Sequence, residues 1–473
     1  MTLENWFRKN SKFLQNIYDI LPYTFQTLAI SFRGFGLTKI RYSSIFREEL
    51  QDIADRETYS KERMQMYQVE KLQEMVQLAY TTTSFYRQWF DVAGVKPEDI
   101  KNIEDLRKLP ILSRDTVRIR GHEMISSAVP ASERINHRTS GTTGSGLSVI
   151  VSKSALQNVN AHVSRQMQWA GVEPRDWRIT MFGARVIPPK QSNPPYWVKN
   201  FPGHQIFLSG FHLSDKTIDD YYEFLSIHQD LPIEGFASTL HILSELLAKR
   251  EKRLKMKAIF SNGEPMLPFM REIIEDRLGA KVWDAYGQTE LVGLIQECAA
   301  GGFHLASDFG ILEILDDTGN PVEKGQPGNF VWTGLQNEAM PLIRYKIGDI
   351  GEWCKEQACP CGKYTPLVHP IITRDSDYLK TPNGKIYSPR MINQYLKGAN
   401  FQYCQIVQKS KYSWVIRYIS NDNNADRQVK VVQSNLENLL GADIKIEIKK
   451  AISPIQREGG KIPLIIAINT PDK

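Results

Sequence analysis

The stretch Arg138 to Ser148 reads R-T-S-G-T-T-G-S-G-L-S, with Gly141, Gly144 and Gly146 interleaved with the hydroxyls of Thr139, Ser140, Thr142 and Thr143. Such a segment can turn tightly and curl backbone N–H and side-chain O–H groups around an anion, with a phosphate as the natural guest. It is not the G-x-x-x-x-G-K-[ST] loop: the lysine is missing, and the hydroxyls lie before and between the glycines rather than after them. Read alone, the same residues also fit an exposed Ser/Thr/Gly turn between two strands.

Outward from this loop the pattern is regular. The β-branched run Val149 to Lys153 predicts a strand leaving it, and Ala155 to Trp169 a helix stopped by Gly171 and Pro174. Prolines 188, 189, 194 and 195 mark an irregular loop, expected at a substrate entrance. Strand and helix then alternate: Ile233 to Phe236, Thr239 to Arg250, Ala258 to Phe260, Pro268 to Leu278, Lys281 to Trp283. That rhythm means a mostly parallel α/β sheet with helices on its faces. From Gly302 the pattern becomes short β runs (Gly310 to Leu315, Gly328 to Trp332) between D-D-T-G-N and E-K-G-Q-P-G turns, a β-rich subdomain. Beyond Thr373 come strand-like Tyr403 to Val407 and Ser413 to Tyr418, a helix from Arg427 to Leu440, and strand-like Ile444 to Ile448. The expected division is a large domain over residues 1–372, helical over 1–130, and a small α+β domain over 373–473. Upstream, Tyr67 to Trp89 reads as one core helix, and the aromatic and basic residues of the first 70 as a docked helix.

Three stretches in order carry a family resemblance: the loop above, D-A-Y-G-Q-T-E (Asp284 to Glu290) and P-L-I-R-Y-K-I-G-D-I-G (Pro341 to Gly351). With L-P-I-L-S-R-D-T-V-R (Leu109 to Arg118), S-N-G-E-P-M (Ser261 to Met266), C-P-C-G (Cys359 to Gly362) and T-R-D-S-D (Thr373 to Asp377), the chain resembles the adenylate-forming superfamily of acyl-CoA synthetases. Within it the chain is most similar to the phenylacetate-CoA ligase branch, which includes capsule-biosynthesis ligase-like proteins.

The resemblance implies an AMP-forming ligase that joins a small carboxylic acid to ATP as an acyl-adenylate and passes the acyl group to coenzyme A. The alternatives are an amine or hydroxyl of a sugar as acceptor, and a nucleotide-binding homologue without catalysis. It implies that Thr139, Ser140, Gly141, Thr142, Thr143 and Gly144 hold phosphate, and that Gly263, Glu264, Pro265 and Gly287 line the nucleotide. Tyr286 would stack on adenine, Thr289 touch the α-phosphate and Glu290 hold magnesium; an aromatic face suits a purine and a carboxylate suits a hard cation. Asp349 and Arg374 would reach the ribose, and Lys461, in R-E-G-G-K-I-P, is the catalytic lysine of a rotating small domain. The substrate pocket is expected to include Phe182, Phe236, Ala237 and Ser238. Ser145 and Gly146 stand where the family has lysine and proline, and Thr373 and Ser376 where its hinge has glycine and aspartate; these departures motivate the reading without catalysis.

Five cysteines are too few and too uneven for a disulfide framework. Cys298, His304, Cys359 and Cys361 form a donor set suited to one structural zinc, with unligated buried thiols as the alternative. Hydrophobic content of 41% and charged content of 24% are those of an ordinary globular chain, and 473 residues exceed one core. A net charge of +6 with interspersed acids argues against a nucleic-acid partner and is compatible with a nucleotide. The N-terminal residues lack the features of a secretory signal and no stretch has the length of a membrane span, so a cytoplasmic location is expected. A peripheral membrane contact by the basic, aromatic N-terminal segment is a further expectation.

Overall fold

The computed structural model describes residues 17–138, 147–182, 186–188, 190–369, 379–382, 386–387, 392, 395–396, 401, 403–420, 422, 424–440, 443–452, 455 and 464–466. The chain forms two compact units, one of residues 1–43, 167–262 and 266–284, the other of residues 44–166, 263–265 and 285–473.

The first unit is the parallel α/β layer that the strand and helix alternation predicts. Ile259–Asn262, Ile233–Gly235, Arg178–Met181 and Gln205–Leu208 run parallel in that order, and Trp197–Asn200 closes the edge antiparallel. These strands are short and buried on both faces; Ile179, Met181, Ile206 and Ile233 supply apolar contacts, and the buried Arg178, Thr180 and Gln205 are satisfied by Glu234 and by one another. The helices Ala237–Lys249 and Pro268–Leu278 pack on each other, the second opened by proline and closed by Gly279 at φ 70°. The helix Tyr23–Arg41 lies along the Trp197–Asn200 edge strand.

The second unit holds most of the β structure. Gly310–Leu315, Gly328–Gly334 and Tyr345–Trp353 form an antiparallel meander, to which Leu112–Ser113 adds a parallel strand and Val368–His369 an antiparallel one. Ala285 to Gly287 pair antiparallel with Leu294–Glu297, which pair in turn with Phe303–Leu305. Arg134–Arg138 and Ser148–Ser152 pair with Arg138 opposite Ser148, so a strand does leave the glycine-rich stretch. The C-terminal part is the expected α+β arrangement: Lys445–Lys450, Ser413–Ile419, Tyr403–Ser410 and Ile465–Ile466 in sheet order, with the helix Ala425–Leu440 against them.

One element departs from expectation. Tyr67 to Trp89 is not one helix but parts of two, Lys61–Thr82 and Ser84–Ala93, with a corner at Thr83. The run T-T-T-S explains it. The hydroxyls of Thr81, Thr82 and Thr83 each bond back to the carbonyl four residues earlier, at 2.8, 2.7 and 2.8 Å. Thr83 is extended (φ −127°, ψ 141°), and its hydroxyl accepts from Tyr86 N–H at 3.1 Å as the cap of the next helix. Apolar spacing is blind to such a corner because it continues across it.

In the second unit Gly310 lies opposite Gly334, and a Cβ on Gly310 would sit 2.2 Å from the backbone oxygen of Val292. Only a residue without a side chain lets the 292–293 backbone cross the sheet so closely. Gly310→Ala is expected to destabilise the chain by about 1–3 kcal/mol, because backbone rather than a side chain must move; the denaturant midpoint of the variant checks this.

Candidate active site

The second unit gathers the nucleotide-motif residues that lie among those described. Tyr286 lies on the strand Val282–Gly287, opposite Ile295. Its ring stacks on Trp332 (centroids 6.2 Å apart, planes 15° apart) and meets Phe330 edge-on at 5.7 Å. Its hydroxyl donates to Asp349 Oδ2 at 2.9 Å. Burial, then the neighbouring Asp349 carboxylate, raises the phenol well above its ordinary pKa, so it remains a donor. Thr289 and Glu290 occupy the turn after the strand, and Gln288 Oε1 closes that turn by accepting from Gly293 N–H at 3.2 Å.

Glu290 is 3% exposed. Tyr345 O–H donates to its Oε1 at 3.2 Å, and Arg114 Nη1 lies 3.7 Å from the same oxygen. Burial pushes the carboxyl above its ordinary range, and Arg114 only partly opposes that. The parallel register explains how Arg114 arrives there: Leu112 faces Tyr345 and Ser113 faces Lys346, so the residue that follows reaches the start of the Asp349 strand, where Arg114 Nη1 also donates to Ile347 O at 3.4 Å. Arg114 and Tyr345 lie inside the quoted motifs but were not named as site residues; their signal was a fixed place in the L-S-R-D and I-R-Y-K stretches. Gly263, at φ 78°, precedes the buried Glu264 in the second unit.

The same unit holds a buried carboxylate that the sequence did not flag. Asp308 accepts from Arg165 Nη1 at 3.1 Å on both oxygens and from Arg56 Nε at 3.2 Å, and His162 Nε2 lies 3.3 Å away. Arg165 also donates to Gln296 Oε1, and Gln296 Nε2 donates to His162 O at 2.8 Å. Arg56 further pairs with Glu49. Although burial opposes ionisation of Asp308, Arg165 foremost and then His162 and Arg56 hold its carboxyl well below the usual range.

The four predicted metal-ligand residues meet. One donor atom from each of Cys298, His304, Cys359 and Cys361 lies within 4.8 Å of every other. The Cys298 and Cys359 sulfurs are 3.6 Å apart, and Cys361 Sγ is 3.2 Å from His304 Nε2. A tetrahedral ion with bonds of ~2.3 Å to sulfur needs sulfur-to-sulfur edges of about 3.8 Å, so the spacing fits zinc. His304 Nδ1 is engaged with Thr365, 2.9 Å from its hydroxyl and 3.3 Å from its carbonyl, which leaves Nε2 to face the thiols. Burial lowers the imidazole pKa, favouring the neutral ligand form. A Cβ on Gly302 would stand 2.9 Å from Cys359 Sγ, so glycine is what lets the two turns close.

The expected substrate residues all lie in the first unit. Phe182 and Phe236 meet edge-on at 5.1 Å, while Ala237 and Ser238, at the start of the helix Ala237–Lys249, are fully buried. Thr139 to Gly144, Arg374, Asp377 and Lys461 lie outside the described residues.

No family model matches the chain. It is 28% identical over 349 residues to a phenylacetate-coenzyme A ligase of Thermus thermophilus, covering 70% of this chain and 75% of the relative. It is 23% identical over 429 residues to Protein CapK of Staphylococcus aureus, covering 90% of this chain and 87% of that protein. The phenylacetate-coenzyme A ligase of Escherichia coli K12 is 28% identical over 303 residues, 62% of this chain and 68% of the relative. Among solved structures, 2-hydroxyisobutyryl-CoA ligase in complex with 2-HIB-AMP and CoA superposes with a TM-score of 0.60 at 20% identity, over 87% of this chain and 91% of that one. The same ligase in its postadenylation state, in complex with R3-HIB-AMP, gives 0.56 at 19%, again over 87% of this chain and 91% of that one. The shared fold is thus that of an adenylate-forming ligase.

Asp308→Asn is expected to cost about 3–5 kcal/mol at neutral pH, since it removes the carboxylate that the buried Arg165 and Arg56 share and leaves Arg56 with Glu49 alone. The sign of the pH effect follows from the depressed pKa. The stabilisation is fully present above the ordinary aspartate range and is lost as pH falls through the folded-state value, so the variant loses the corresponding steepness at acid pH. Denaturant titrations across the acid range check both.

Proposed function

We propose that this chain, a member of the adenylate-forming superfamily in its phenylacetate-CoA ligase branch, is an ATP-dependent, AMP-forming ligase of a small carboxylic acid with coenzyme A as acceptor. The observation that carries the reading is the Tyr286 to Asp349 hydrogen bond, which unites two motifs 63 residues apart beside the buried Glu290. In the first half-reaction the acid's carboxylate oxygen bonds to the α-phosphorus as the bond to pyrophosphate breaks; in the second a thiol sulfur takes the acyl carbon and AMP departs. The protein's task is to position the partners and to offset charge on the phosphates. Glu290 would hold magnesium, which supplies that offset, while Thr289 and the loop Thr139–Gly144 would bear on phosphate and Asp349 with Arg374 on ribose. Lys461 would act on the first transition state. Phe182 and Phe236 suit an apolar acid. The neighbours named with CoA support the thiol acceptor; an amine or sugar acceptor draws no support from them.

Acid-dependent exchange of pyrophosphate into ATP across a panel of carboxylic acids, followed by thioester formation with coenzyme A, tests the reading. Exchange without thioester would remove the acceptor, and no exchange with any acid would remove the activity. Glu290→Gln is expected to lower exchange at least about tenfold and raise the magnesium requirement, since an amide is the poorer ligand for a hard cation. Its thermal stability should not fall. A carboxyl whose pKa is raised in the fold contributes stability below its ordinary value and loses it as pH rises through the folded value, so at neutral pH the charge is a burden the amide lacks.

The Cys298, His304, Cys359 and Cys361 donor set supports one closed structural zinc. Protein purified without chelator is expected to carry about one zinc per chain, and Cys359→Ser to lose most of it together with several degrees of thermal stability, about 2–4 °C per kcal/mol for a chain of this size or less. Elemental analysis and calorimetry check this.

A further inference from the structure

The helix Tyr23–Arg41 turns most of its large apolar side chains outward. Its buried residues are Gln26 and Gly34. A Cβ on Gly34 would stand 1.9 Å from Asn200 Oδ1, so the helix sits close on the edge strand, with Ile30 packed against Val186, Ile187 and Val198 as its apolar contact there. Ser31 helps to hold it there, its hydroxyl donating to Lys199 O at 3.4 Å and accepting from Phe201 N–H at 3.3 Å. The opposite face carries Phe25, Leu28, Phe32 and Phe35, which are 57%, 62%, 75% and 61% exposed. Their spacing of three, four and three residues aligns them in one stripe along a helix about 28 Å long. Ile20, 82% exposed, precedes the stripe, and Lys39 follows it at the next position of the same face.

Four large apolar side chains in a row on the outside are a contact surface rather than chance exposure. The charges around them choose the partner. No aspartate or glutamate occurs between residues 20 and 47, whereas Arg33, Lys39, Arg41 and Arg47 do. The first 43 residues hold six basic and two acidic residues. Two copies meeting on this stripe would set cation against cation. An anionic lipid surface accepts both components, the phenylalanines entering at the level of the acyl chains while arginine and lysine meet headgroup phosphates. No described helix is long and apolar enough to cross a membrane, which leaves an in-plane contact.

We propose that the face Phe25, Leu28, Phe32, Phe35 with Arg33 and Lys39 docks this chain onto a membrane surface containing anionic lipid. This inference stands apart from the ligase reading. The test is flotation of the full chain with vesicles of phosphatidylcholine alone and of phosphatidylcholine with phosphatidylglycerol, beside light scattering and thermal unfolding. The chain should float with phosphatidylglycerol vesicles and much less without that lipid. Phe25→Ser/Leu28→Ser/Phe32→Ser/Phe35→Ser should bind at least about tenfold more weakly, and Arg33→Glu/Lys39→Glu should lose the preference for anionic lipid, both remaining folded monomers. Failure of the chain to float, or equal flotation of the four-serine variant, overturns the proposal. A dimer that dissociates in the four-serine variant assigns the face to a second copy. A fall in its unfolding temperature without vesicle binding assigns the face to residues 1–16 of the same chain.

Discussion

A carboxylate sealed away from water must be compensated in place, and Asp308 meets that demand with two segments remote in sequence, while a third holds its main-chain carbonyl. The helix Ser44–Arg56 brings Arg56, the helix Lys153–Trp169 brings His162 and Arg165, and Gln336 Nε2 donates to the Asp308 carbonyl at 2.9 Å. Removing the carboxylate leaves Arg56 only Glu49 and takes from Arg165 the charge it faces in a medium that solvates ions poorly. The strand Leu294–Glu297 is bound to the same knot through Gln296, and from that strand follow, in one direction, the pairing with Tyr286 and, in the other, Cys298. Within the second unit the polar interior therefore sets where both the nucleotide motif and the thiol cluster begin.

The site itself borrows rigidity from backbone that would not adopt its conformation unaided. Leu291, one residue after Glu290, has φ 53°, and Arg344, one residue before Tyr345, has φ 54°. Neither is glycine or asparagine, so each is strained and held by its surroundings. For Arg344 the restraints are visible: its side chain pairs with Glu313 at 3.3 Å, and its N–H donates to Thr333 Oγ1 at 3.0 Å. The two residues flank the Glu290 to Tyr345 hydrogen bond, which puts the strain beside the most deeply buried acid of the motif.

Much of this could be read from the residues. Strand and helix alternation located Ile233–Gly235, Ile259–Asn262 and the helices Ala237–Lys249 and Pro268–Leu278 to within two residues, because period and turn chemistry are local signals; the parallel strands Arg178–Met181 and Gln205–Leu208, hidden by polar residues and neighbouring prolines, were not legible, and the run from Lys281 continues to Gly287. Cys298 with His304 and Cys359 with Cys361, two stretches far apart in sequence, were expected to meet because three thiols and an imidazole make a zinc donor set, and their donor atoms do meet. Other features were illegible for definite reasons. Asp308 looks like any aspartate in S-D-F-G until the fold surrounds it. Arg114 owes its position to a parallel register between segments more than two hundred residues apart, which no local pattern encodes. Apolar spacing in the first 41 residues indicates a helix but not which side of it faces inward, since Ile30 packs inward while Phe25, Leu28, Phe32 and Phe35 face out.

Cys298 and Cys359 stand at the two ends of a length of chain that contains Gly310–Leu315, Gly328–Gly334 and Tyr345–Trp353, and so contains Tyr345 and Asp349. Whatever holds those sulfurs together ties this length into a ring of about 60 residues, which in the unfolded chain forfeits roughly 4 kcal/mol of conformational freedom. A reagent that takes one of those thiols away would give that freedom back to the unfolded chain, and the meander that carries Tyr345 and Asp349 would open more often.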